Sequence, residues 1–216
     1  RLLMEFVHFL NSHLLDPAVG GKQLYRDMVE QAVHAEACGF RGVGIPEHHL
    51  LNILLIPAPL QMAVKVAAHT KHVELMTSIC QLPIRDMRVF AGEVVQAQAL
   101  CDGRLMLGVG KGAFGFETGR LDVPMEETQK RFRESLAVLE TLLTKEEVSW
   151  AGDYYNFAPL TIMPRPEDPI PLMLAKGKAM RERLATKEPK PRMQQPKAKQ
   201  ENLMKLQLLI LLLVLS

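Results

Sequence analysis

Residues 39–51 read GFRGVGIPEHHLL. A glycine opens the stretch, a short apolar run follows, Pro46 stops it, and Glu47, His48 and His49 come directly after. The run is short and apolar, so it predicts a short buried strand. The glutamate and two histidines then sit just past a strand's carboxyl end.

The sequence on either side repeats the rhythm. Residues 4–10 are expected as a first strand, and 22–38 as a helix with Leu24, Met28, Ala32 and Ala35 on one face and Gly39 as its stop. Residues 42–46 are the second strand, 59–70 a helix, and 73–82 a third strand apolar enough to be doubly buried. A helix over 87–100 closes at Asp102-Gly103, a fourth strand covers 104–109, and a long helix covers 126–144 with Phe132, Leu136, Leu139 and Leu143 in one stripe. Pro124, Glu126 and Glu127 mark its start, where the helix dipole favours negative charge. Residues 150–157, with Gly152-Asp153 inside, are expected as a hairpin excursion, and 170–175 as the fifth strand. Strands alternating with helices mean parallel pairing with right-handed crossovers, hence an α/β fold. Periodicity does not choose between an open doubly wound sheet and a closed barrel.

The 216 residues are 48% hydrophobic and 23% charged, the balance of a globular chain with a sizeable core. Net charge is +2, but residues 176–216 hold ten Lys and Arg against three Asp and Glu, which leaves 2 − 7 = −5 for residues 1–175. That body is no nucleic-acid binder on charge grounds. Cys38, Cys80 and Cys101 are odd in number, lie in apolar segments and lack paired metal-ligand spacing, so they are expected as reduced core thiols of a cytoplasmic protein. The opening RLLMEFVHFL lacks the layout of an export signal. From Lys187 the chain turns basic and proline-interrupted, and then into a leucine run over 206–215. That run falls far short of the roughly 20 apolar residues that span a membrane, so no membrane partner is expected. Residues 1–186 are read as the domain and 187–216 as an atypical tail.

In an α/β fold ligands collect at the carboxyl ends of strands. The residues expected there are Asn11, Ser12 and His13; Glu47, His48 and His49; Gln81 and Arg85; Gly110, Lys111 and Gly112; and Lys176 and Gly177. Glu47, His48 and His49 suit acid/base work, metal ligation or a polar loop. Adjacent histidines in extended chain point to opposite sides, and neither HExxH nor CxxC is present, which disfavours a metal. GVGKGAFG contains GxGxxG at Gly110, Gly112 and Gly115, but FETGRLDVP intervenes before any helical periodicity, so it is no dinucleotide fingerprint. What remains is a glycine-lined turn bearing one cation, Lys111, suited to a flat or phosphorylated ligand, or simply a tight turn.

Taken in order, GFRGVGIPEHHL, VELMTSICQLP, LCDGRLMLGVGKG, KRFRESLAVLETLLT, GDYYNF and PRPEDPIPLMLA resemble the bacterial luciferase-like flavin-dependent monooxygenases over about residues 4–186. The resemblance implies a TIM-type (β/α)₈ barrel that binds reduced FMN, supplied by a flavin reductase, and uses oxygen on a small substrate. It places His48 as the acid/base group and Glu47 beside the cofactor. Ser78 and Ile79 fall where many members have a non-prolyl cis peptide against the flavin ring. Gly110 and Lys111, with Ala175, Lys176 and Gly177, fall near the flavin phosphate. A homodimer or heterodimer is implied, with the second helix and its neighbour as the contact. The loop over 50–57 is expected to shape substrate choice.

A full barrel takes about 250 residues, with units of about 30. Five strands are spent by Ala175, so the barrel is expected to be truncated after about five strands. Two other readings stand beside the monooxygenase: a catalytically silent flavin-binding protein or subunit, and a deazaflavin-dependent hydride-transfer enzyme.

Overall fold

The computed structural model describes residues 5–174. The expectations placed on Met4, on Ala175, Lys176 and Gly177, and on the tail over 187–216 lie outside the described residues.

Five parallel strand positions follow one another in chain order, with helices between them. β1 (Val7–Phe9) pairs with β2 (Gly42–Ile45), and β2 with β3 (Glu74–Thr77). β5 (Leu105–Gly110) lies beside β3 and β4 (Cys80–Gln81), and on its other side pairs with β8 (Leu172–Leu174). All four residues of β2 are buried, as its unbroken apolar run requires. Among the described residues the sheet is open: β1 pairs only with β2, and β8 only with β5.

The third strand differs from its expectation over 73–82, because it is split in two. Met76 pairs with Met106 and Cys80 with Val109. Three residues therefore separate the paired positions on one strand and two on the other, which is a bulge. The Ser78–Ile79 peptide bond within it is cis, as the resemblance implies. β5 threads past this bulge so closely that a Cβ on Gly108 would sit 1.9 Å from the Thr77 carbonyl oxygen, and only glycine fits. The Thr77 hydroxyl donates to the Gly108 carbonyl at 2.8 Å and locks the contact.

The helices form where their apolar spacing puts them. α1 (Gly20–Ala37) buries Leu24, Met28, Val29, Ala32 and Ala35. It ends as expected at Gly39, at φ +76, where Phe40 N–H donates to Ala35 O and Gly39 N–H to Glu36 O. That pair of bonds is a Schellman motif, and the left-handed φ is why glycine stands there. α2 (Pro59–Ala67) starts on proline and stops short of the expected Thr70, because the Arg104 guanidinium takes the Ala67 and Thr70 carbonyls at 3.0 and 3.1 Å. α3 (Met87–Leu100) is capped by the Asp86 carboxylate, which accepts from Arg88 N–H at 2.9 Å.

α5 (Met125–Thr144) buries Ser135, Val138, Leu139 and Leu142, with Phe132, Leu136 and Leu143 half-covered. Its covered face is wider than the expected stripe, since α3 and a hairpin both pack on it. That hairpin, β6 (Val148–Ala151) with β7 (Asn156–Leu160), is antiparallel as expected. One carboxylate, Glu134, accepts from Trp150 Nε1, from the Asp153, Tyr154 and Tyr155 N–H groups, and so pins the hairpin to α5.

One element was not legible in advance. Between β5 and α5 lies α4 (Gly115–Gly119), in the stretch expected to lack helix. Five residues make little more than one turn, too short to show a 3.6-residue period.

Candidate active site at the strand ends

The residues after β2, β4 and β5 meet above the carboxyl edge of the sheet. Glu47 follows β2 after Pro46 and is 4% exposed. Its Oε1 accepts from Arg85 Nη1 at 2.7 Å and faces His49 Nε2 at 2.7 Å, while Oε2 accepts from Gln81 N–H at 3.2 Å. Both oxygens of Glu47 are thus engaged by protein groups. Arg85 also donates to the Gln81 carbonyl at 2.9 Å. Desolvation by itself would lower the Arg85 pKa, but the Glu47 carboxylate outweighs it and holds the pKa above the ordinary guanidinium value.

A second buried carboxylate completes the group, and sequence reasoning missed it. Glu117, on α4, is 1% exposed. Its Oε1 accepts from His49 N–H at 2.5 Å and from Gln81 Nε2 at 3.1 Å, and its Oε2 lies 3.5 Å from His48 Nδ1. Burial would raise its pKa, yet the bonds from His48, His49 and Gln81 win and lower it below the ordinary carboxylate value. The only advance signal was a lone acid in an otherwise apolar and glycine-rich turn.

His48 is partly exposed, with its backbone N–H fixed to Ile56 O at 2.8 Å. Its ring lies against Phe114, centroids 5.6 Å apart, and Phe114 stacks on Phe116 at 5.4 Å. Phe116 is 54% exposed, so an aromatic ladder runs from the histidine to the surface. Lys111 follows β5, and no ion pair engages it among the described residues. Gly112 beside it has φ +84, and a Cβ there would lie 2.5 Å from Gln81 Oε1. That Oε1 is buried and has no hydrogen-bond partner among the described residues.

Of the expected site residues, Glu47, His48, Gly110 and Lys111 come together here, with Ser78 and Ile79 in the bulge that β5 threads past. Asn11 serves its own loop, its Oδ1 accepting from His13 N–H at 3.0 Å. The 50–57 loop crosses that segment, with Leu55 N–H on Ser12 O and Leu14 N–H on Ile53 O. A polar cavity of about 530 Å³ opens on Arg85, Arg88, Arg131 and Tyr154, but neither His48 nor Lys111 lines it. No cluster of three or more His, Cys, Asp or Glu suited to a metal occurs among the described residues, and no described helix is long and apolar enough to cross a membrane.

The described residues thus form a parallel α/β sheet with a Glu-His-His turn, its glutamate buried, at one strand's carboxyl end. The chain belongs to the luciferase-like monooxygenase family, whose sequence signature matches residues 4–193. It is 29% identical over 165 residues to the oxygenase component of a flavin-dependent trigonelline monooxygenase of Acinetobacter baylyi, covering 76% of this chain and 46% of that one. Over 159 residues it is 35% identical to an F420-dependent glucose-6-phosphate dehydrogenase of Amycolatopsis mediterranei, covering 70% and 48%. Among solved structures it resembles the monooxygenase RslO1 of Streptomyces bottropensis, with TM-score 0.74, 26% identity, and coverage of 79% and 53%. The chain spans about half the length of the curated relatives it matches.

Proposed function

We propose that the chain is the barrel part of a flavin-dependent monooxygenase that takes reduced FMN from a separate flavin reductase and oxidises a small organic substrate with molecular oxygen. The observation that carries this reading is His48, set between the buried Glu117 carboxylate and the Phe114 ring at a strand's carboxyl end. The five parallel strands are read as an arc of a (β/α)₈ barrel, and the oxygenase component from Acinetobacter baylyi supports the two-protein arrangement.

The residues present suit the cofactor. A glycine at φ +84 beside Lys111 lets the turn close onto Gln81, whose buried Oε1 is an acceptor still without a donor among the described residues. The Ser78–Ile79 bulge stands between the Glu47 and Gly110 strands. Ala175, Lys176 and Gly177 are assigned to the phosphate with Lys111. Glu47 bears on the cofactor through Arg85 and His49, since both its oxygens are taken. When bound, reduced FMN supplies the electrons for oxygen activation. His48 moves one proton to or from the reacting centre, the aromatic ladder excludes water, and Lys111 orients the anion. Pairing of two copies through α1 and α2 fits the exposed Tyr25 and Val33 on the outer face of α1.

A second reading, hydride transfer with a deazaflavin, is favoured by the 35% identity to the F420-dependent relative. Equilibrium binding separates the two: tight binding of FMN with negligible F420 binding supports the monooxygenase, and the reverse overturns it. Oxygen consumption with reduced FMN then separates an active enzyme from a silent flavin binder.

A further inference from the structure

Two adjacent histidines each face a buried carboxylate, but through different ring nitrogens. His49 presents Nε2 to Glu47 at 2.7 Å, whereas His48 presents Nδ1 to Glu117 at 3.5 Å. A carboxylate accepts only, so each nitrogen facing one must carry the hydrogen when its ring is neutral. We infer that Glu117 is a positioning residue that holds His48 as its Nδ1–H tautomer with Nε2 free to take a proton, while Glu47 holds His49 as the opposite, Nε2–H tautomer.

The two carboxylates differ in charge balance as well. Glu47 already has the Arg85 guanidinium 2.7 Å away, so His49 joins a pair that is neutral without it. Glu117 has no Lys or Arg within 4 Å among the described residues, and His48 is its one ionic partner there. His48 therefore faces a carboxylate that no fixed cation engages among the described residues, and His49 one already paired with Arg85. Gln81 couples the two halves, its backbone N–H on Glu47 and its Nε2 on Glu117. The EHH turn so holds its two histidines through opposite ring nitrogens.

This inference deepens the acid/base role given to His48 above, but it concerns the chain without cofactor, so its test stands apart from flavin chemistry. Two-bond ¹H–¹⁵N correlation spectra of the full chain identify ring tautomers directly, recorded at the alkaline end of the stability range after each ring has lost its second proton. The His48→Gln and His49→Gln variants assign the two signals. The expected result is an excess of Nδ1–H for His48 and, by about tenfold, of Nε2–H for His49, whose 2.7 Å contact has the length of a charge-assisted hydrogen bond. Glu117→Gln should abolish or invert the His48 preference and leave His49 unchanged. Nε2–H on His48 in the unmodified chain overturns the inference, as does an unaltered His48 preference in Glu117→Gln. The unmodified chain decides alone if that variant does not fold.

Discussion

Arg85 Nη1 lies 2.7 Å from Glu47 Oε1, and the Glu47 side chain has no solvent exposure. A buried ion pair of this kind is costly to break from one side, because the remaining charge cannot reach water. Arg85→Ala should therefore lower stability by about 3–5 kcal/mol. Urea titration followed by circular dichroism measures it, and a loss below about 1 kcal/mol would mean that Glu47 finds water in the folded protein.

Removing the His48 ring leaves Lys111, the cis bulge and the aromatic pair in place. His48→Ala should keep FMN affinity within about threefold while turnover falls by about two to four orders of magnitude, the range for losing a general acid or base. Stopped-flow oxygen consumption and flavin fluorescence titration check the two halves. Unchanged turnover would make His48 a packing residue.

In the proposed function Lys111 pairs with the flavin phosphate. Lys111→Ala should weaken FMN by about tenfold and riboflavin much less, since riboflavin lacks the anion. Isothermal titration with both ligands decides it, and equal losses would assign the lysine to the turn alone.

Burial raises the Glu117 pKa, but hydrogen bonds from His48, the His49 N–H and Gln81 outweigh it and leave the carboxyl below its ordinary value of 4.5. A group depressed on folding adds stability above its unfolded value and loses it as pH falls through the folded one. Glu117→Gln should accordingly show a shallower loss of stability than the parent between about pH 5 and pH 3. Parallel acid limbs in the two proteins would show that Glu117 keeps its proton affinity on folding.

Burial, aided by the Glu47 charge, pushes the Cys80 thiol up to about 12, and burial pushes Cys101 up to about 11. Cys38 is exposed. Ellman's reagent should titrate one thiol quickly in the native protein and the others only with denaturant, because the thiolate is the reacting form. Three fast thiols would contradict the packing of β4 and α3.

The amino-acid sequence alone determined the alternation of strands and helices, the glycine stop of α1, the span of α3 and the place of His48 after a short buried strand. Each of these is written in local apolar period, in Gly and Pro, or in the residue next along the chain. It also supplied, by resemblance, the cis link at Ser78–Ile79. Tertiary structure alone decided that Glu117 is buried, that it faces His48 across 69 residues of chain, and that Arg85 neutralises Glu47 across 38. A carboxylate in a five-residue helix carries no periodic signal, and which charge it meets depends on how β2, β4 and β5 line up in the sheet. The two histidines are neighbours and alike in sequence; they differ because the sheet brings a different buried carboxylate to a different nitrogen of each ring.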